Sequence, residues 1–136
     1  MAGLDEGAKL LMGEVPQEDD RGYYVGPTIF THVDNSMTIA QEEIFGPVLC
    51  VIYYDNEDNP IDIANDTVYG LSGAVFGPEK YAQEVARKIK TGIIMVNGGK
   101  RTHAAPFGGF KHSGIGREGG RFGLEEYLEM KTIFSN

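Results

Sequence analysis

The segment Glu42-Glu-Ile-Phe-Gly-Pro47 sets two carboxylates and an aromatic ring just ahead of a Gly-Pro turn. On a helix, neighbouring residues point about 100 degrees apart, so Glu42 and Glu43 cannot face each other as an acid and base pair of the glycosidase kind. What the segment can offer is one carboxylate acceptor with a ring two residues away. Judged by residue type alone, such a carboxylate is ordinarily solvated and such a phenylalanine ordinarily packs in a core. Cys50, the one cysteine, stands inside the apolar run Val48-Leu-Cys-Val-Ile52. A reactive thiolate requires an electropositive, partly exposed setting, so Cys50 is expected to be a small core residue and not a nucleophile. The three histidines, His32, His103 and His112, have no metal-ligand spacing, and no metal is expected. Gly114-Ile-Gly-Arg-Glu-Gly119 matches G-x-G-x-x-G, a pattern that cradles a pyrophosphate when it joins a strand to a helix. Here it follows Phe110-Lys-His-Ser113, with too little chain after it for a second strand and a ribose-binding acid. The expected role is a turn-forming glycine loop.

The elements that must position these residues read as α/β. Composition permits one ordinary globular domain: 136 residues, 41% hydrophobic and 24% charged. A formal charge of −8 disfavours nucleic acid and anionic membrane surfaces, both of which are held by clustered Lys and Arg. No run approaches the roughly 18 apolar residues of a membrane span, and no targeting segment is expected at the start. A single cysteine suits a reducing cytosol, and the expected location is cytoplasmic.

Residues 12–22 read as a polar surface loop around Pro16. After it, 27–33 alternates like a half-buried strand, and 48–54 is a continuous apolar run suited to a strand covered on both faces of a parallel sheet. Asp58 or Asn59 is expected to cap a short helix with Pro60 in its first turn, ending near Asn65. A strand at 72–76 follows, then a helix opened by Pro78, with Tyr81, Val85 and Ile89 on its apolar stripe and Gly92 as its stop. Another buried strand covers 93–96. Strands and helices alternate from Val48 onward, as in βαβ crossovers. Residues 98–123 hold nine glycines together with Lys100, Arg101 and Lys111, and read as one long functional loop. A short helix around 124–128 and a strand at 130–134 close the chain.

Five ordered blocks carry a resemblance: Gly22-Tyr-Tyr-Val-Gly-Pro-Thr28, Ile39-Ala-Gln-Glu-Glu-Ile-Phe-Gly-Pro47, Ala64-Asn-Asp-Thr-Val-Tyr-Gly-Leu71, Thr91-Gly-Ile-Ile-Met-Val-Asn97 and Pro106-Phe-Gly-Gly-Phe-Lys-His-Ser-Gly-Ile-Gly-Arg-Glu118. Together with Tyr127-Leu-Glu-Met-Lys-Thr132 they resemble the C-terminal part of NAD(P)-dependent aldehyde dehydrogenases. The resemblance covers nearly the whole chain. It implies part of an aldehyde dehydrogenase catalytic domain, with a mostly parallel sheet and flanking helices, without the Rossmann-type cofactor domain.

In that family a cysteine thiolate attacks the aldehyde, hydride passes to the nicotinamide, and a glutamate-activated water releases the acid. Both catalytic groups lie upstream of the matching region, so no catalytic residue is assigned here and the chain is expected to be inactive alone. The resemblance implies that Glu43 accepts hydrogen bonds from the nicotinamide ribose, and that Phe45 packs near the nicotinamide ring. It also implies that Phe107 lines the aldehyde pocket. NAD or NADP would serve the parent enzyme, with none expected on this chain by itself. Residues 130–136 resemble a strand that joins a neighbouring subunit, so the implied partners are a second copy or an intact subunit. The alternatives are a self-associating interaction module and a half-enzyme that needs a complementary chain.

Overall fold

The computed structural model describes residues 2–16, 21–55 and 59–136, and the chain divides into two compact units, Met1–Asp66 and Thr67–Asn136. Asp58, one of the two expected helix caps, and much of the 12–22 loop lie outside the described residues.

The first unit is built on a three-stranded sheet in the order β1 (Lys9–Met12), β2 (Thr28–Thr31), β3 (Val48–Cys50). β1 runs antiparallel to β2, pairing Lys9 with Thr31 and Leu10 with Phe30, and a bulge shifts the register before Met12 meets Ile29. β2 runs parallel to β3, with Phe30 opposite Cys50. Ala8, Phe30 and Val33 form the buried core, and Met37, Ile39, Ala40, Val48, Cys50 and Ile52 close around it. Two four-residue helices, α1 (Ala2–Asp5) and α2 (Thr38–Gln41), carry no periodic signal and come only from the structure. α2 begins at a carboxylate cap from a distant segment: Thr38 donates from its backbone N–H and its hydroxyl to the two Glu6 oxygens, at 2.7 and 2.5 Å. Helix α3 (Asn59–Asn65) ends this unit where its Pro-containing first turn and polar end were expected.

In the second unit, β4 (Ser72–Val75), α4 (Glu79–Lys88) and β5 (Ile93–Val96) make a parallel βαβ unit, with Ser72 beside Ile93 and Val75 beside Val96. α4 buries Ala82, Val85 and Ala86. Asn97 fastens the β4–α4 turn from the far end of β5, its amide accepting from Gly77 N–H at 2.9 Å and donating to Gly77 C=O at 3.0 Å and Glu79 Oε2 at 3.1 Å. A 3-10 turn, Lys111–Ser113, and helix α5 (Gly120–Glu125) follow.

Several expectations change. The sheets are mixed and parallel, not mostly parallel, because β1 returns antiparallel through a connection too long for the sequence pattern to orient. β3 stops at Cys50, and Leu49 is 57% exposed, so this strand is covered on one face instead of two. The α4 stripe runs through Ala82 and Ala86 beside Val85, while Tyr81 lies 41% exposed. α4 ends at Lys88, with Ile89 already extended, so Gly92 is not its stop. α5 starts four residues earlier than expected. Residues 129–136 form no strand in the single chain, because a strand exists only where a neighbour supplies its ladder bonds.

Candidate functional site

Glu43 and Phe45 lie on the bend between α2 and β3, in the first unit. Both side chains are exposed, Phe45 at 91%, and among the described residues the Glu43 carboxylate has no protein partner. The Phe45 backbone sits at φ +56°, in the left-handed region that a bulky L-residue rarely adopts. Gly46-Pro47 leads straight from there into β3, with Pro47 C=O accepting from Thr28 N–H at 2.9 Å. The chain must therefore turn sharply over residues 42–47, and the ring of Phe45 is carried outward at the turn. The bend thus presents to solvent an exposed carboxylate acceptor and an exposed flat apolar ring, two residues apart.

Phe107 belongs to the second unit and lines an open cleft of about 840 Å³, whose other walls are β5, residues 99–103 and 105–106, and the Glu118-Gly119 pair. The glycine-rich loop that carries Phe107 is firmly tied. Phe107 and Glu118 exchange two backbone hydrogen bonds, at 2.7 and 2.6 Å. Gly70 C=O accepts from Phe110 N–H at 2.7 Å and from Gly92 N–H at 3.1 Å. Ser113 Oγ accepts from Gly70 N–H at 2.9 Å, and Lys111 Nζ donates to Thr67 C=O at 2.9 Å. Arg117 stacks over Phe110 at 5.3 Å and donates to the carbonyls of Gly109 and Gly116. The expectation of one long loop thus holds for its irregularity, while its order comes from contacts that no periodicity announces.

Gly92 matters here for a reason other than helix termination. A Cβ on Gly92 would lie 1.6 Å from the Gly108 carbonyl oxygen, so only glycine lets β5 begin directly under the Phe107 loop. The G-x-G-x-x-G segment behaves as a turn loop: Gly114, Gly116 and Gly119 all have positive φ, and the segment follows a 3-10 turn, not a strand. Cys50 is half-buried, donates its thiol to Ile39 C=O at 3.3 Å, and has its pKa raised by burial, all opposed to a role as nucleophile. His32 makes an edge contact with Tyr53 and hydrogen-bonds Thr31, and among the described residues no group of His, Cys, Asp and Glu could hold a metal ion. No helix among the described residues is long and apolar enough to cross a membrane.

A βαβ unit, a mixed sheet with an outward-turned Glu-Ile-Phe bend ahead of its last strand, and a glycine-fastened aromatic loop over a cleft define an α/β protein. Comparison with known proteins gives the family. The model of the aldehyde dehydrogenase family matches residues 1–133, and the chain belongs to that family. A Staphylococcus saprophyticus protein carrying the family's name is 54% identical over 134 residues, which are 96% of this chain and 28% of that protein. Among solved structures, Mycobacterium tuberculosis aldehyde dehydrogenase complexed with NAD+ matches with TM-score 0.84 at 48% identity, over 93% of this chain and 26% of that one. A mutant of Pseudomonas syringae aldehyde dehydrogenase C, complexed with NAD+ and octanal, matches with TM-score 0.86 at 52% identity, over 94% of this chain and 27% of that one. The chain therefore spans about 28% of the length of the curated relatives it matches.

Proposed function

We propose that this chain supplies the nicotinamide-side and aldehyde-side lining of a dehydrogenase that oxidises aldehydes to carboxylic acids with NAD or NADP. The observation that carries this reading is the family match over residues 1–133 together with the outward presentation of Glu43 and Phe45 on one tied bend. Glu43 accepts hydrogen bonds from the nicotinamide ribose, a charge-assisted contact worth about 1.5 to 3 kcal/mol when shielded from water. Phe45 offers a flat apolar face beside the nicotinamide ring, and Phe107 walls the aldehyde site and keeps water from it. The cofactor, when bound, takes up hydride. Cys50 is unsuited to act as the nucleophile, so this chain contributes lining and no reacting group of its own. It turns over no aldehyde alone. Both solved structures named above carry NAD+ and the Pseudomonas syringae one also carries octanal, which supports the cofactor class and the aldehyde class by analogy.

A second observation favours association. β1 has no buried residue, and Met130, Ile133 and Phe134 are 99%, 78% and 93% exposed at the C-terminal end. An exposed edge strand and an exposed apolar terminal segment of this kind pair with another chain, and residues 130–136 are the proposed segment that becomes a joining strand, with a second copy or an intact subunit as the partner.

Calorimetric titration of NAD and NADP, a broad aldehyde assay and a light-scattering mass test both parts. The expected result is a dimer or larger mass, no turnover and no micromolar cofactor binding by the chain alone. Activity is expected to appear when a second chain bearing the dehydrogenase's remaining segments is added, and to fall at least about tenfold with E43Q. Turnover by the unaided chain, or complemented activity indifferent to E43Q, would refute the reading.

A further inference from the structure

The Phe107 cleft differs in charge from the rest of the chain. The protein carries a formal net charge of −8, yet Lys100 and Arg101 both line this one cleft, with Glu118 as the sole carboxylate among its lining residues. Among the described residues neither Lys100 nor Arg101 is paired with a carboxylate, the recorded ion pair being Arg121 with Glu125. Arg101 is held in place without losing its donors. Its guanidinium carbon lies 4.8 Å from the Phe107 ring centroid, and a guanidinium stacked over a ring still projects its N–H groups outward in their own plane. Phe107 is itself fixed by the double backbone bridge to Glu118, so the cation stands on a rigid platform. Ile93–Val96, Ala105 and Pro106 supply an apolar wall to the same cleft. The cleft volume of about 840 Å³ falls within the range of small-molecule sites. An apolar wall beside a ring-held guanidinium and a neighbouring lysine recognises a hydrocarbon body that ends in an anion.

We infer that the Phe107 cleft selects aldehydes bearing a carboxylate at the end remote from the carbonyl, with Arg101 and Lys100 holding that carboxylate. This rests on the reading of Phe107 as aldehyde-pocket lining. The same cations could in principle meet a phosphate, and only a carboxylate carried on a hydrocarbon chain uses the apolar wall as well.

Binding can be read on the 136-residue chain without cofactor or turnover. The ¹⁵N-labelled protein is titrated with hexanoate, hexanamide and inorganic phosphate while the amides of 93–96 and 99–107 are followed. Hexanoate is expected to bind at least about tenfold more tightly than either other probe, with shifts confined to the cleft and affinity falling as salt is raised. The double variant K100Q/R101Q, both positions being exposed, is expected to bring hexanoate down to the level of hexanamide with the remaining spectrum unchanged. Equal binding of hexanoate and hexanamide, phosphate binding as tight as hexanoate, or no binding by any probe would each overturn the inference; the three-probe comparison needs no variant to fold. In the complemented dehydrogenase, 6-oxohexanoate is expected to exceed hexanal in kcat/KM by about tenfold. A preparation that prefers hexanal keeps the functional reading and sinks the carboxylate preference. Selective hexanoate binding beside a failure of every complementation sinks the functional reading instead.

Discussion

Replacing Phe45 by glycine is expected to stabilise the protein while removing a side chain assigned to function. The φ of +56° places an L-residue in the left-handed region, a cost of roughly 1 to 2 kcal/mol that glycine does not bear. Glycine also loses more backbone freedom on folding, roughly 0.5 to 1 kcal/mol relative to alanine. Because the Phe45 side chain is 91% exposed, its truncation sacrifices only a few tenths of a kcal/mol of burial, on the order of a tenth of a fully buried side chain. F45G should therefore exceed F45A in stability by about 0.5 to 1 kcal/mol, with F45A near wild type. Urea unfolding followed by circular dichroism resolves this as a midpoint shift of roughly 0.5 M, for a slope of about 1 to 3 kcal/mol/M. In the complemented dehydrogenase both variants should lose activity alike, since both lack the ring, which is the usual opposition between stability and a strained functional site. If F45G is no more stable than F45A, the left-handed bend is not a property of the folded protein and the outward display of the ring loses its physical basis.

Three further outcomes follow from particular contacts. G92A should destabilise by about 3 kcal/mol, at the upper end of overpacking costs, because its Cβ would meet backbone at Gly108 that no rotamer change can clear; a wild-type urea midpoint would contradict this. N97A should cost about 0.5 to 1.5 kcal/mol, since the Gly77 amide and carbonyl are exposed and water takes up the lost bonds, and N97G somewhat less, since Asn97 sits at φ +49°; amide exchange at Gly77 should quicken in both. Cys50 should be alkylated by iodoacetamide at pH 7 more slowly than a free cysteine. Burial raises its pKa above the ordinary 9.0, so the neutral thiol persists, and any stability tied to that thiol is complete below pH 9 and lost as the pH climbs through the raised value. Alkylation at the free-cysteine rate would contradict the half-buried placement.

Local signals and family motifs told much of this chain's nature from sequence alone. Pro78 and the apolar spacing around Val85 mark the start and body of α4, though not its end at Lys88, and Ile93–Val96 is a strand by its β-branched run, because both depend on neighbours a few residues away. The same locality shows why Cys50 is half-buried in an apolar run and why Gly114–Gly119 is a turn. Other features depend on residues far apart in the chain. β1 meets β2 across a connection of about fifteen residues, and its antiparallel sense is set by closure around Ala8, Phe30 and Val33. The need for glycine at 92 arises from Gly108, the cap of α2 from Glu6, and the order of the glycine loop from Gly70 and Ser113. Even for Glu43 and Phe45, whose identities the motif supplies, only the folded bend decides that both face outward. A side chain's direction is fixed by the backbone turn beneath it, and that turn is held by the pairing of Pro47 with Thr28, nineteen residues away in the chain.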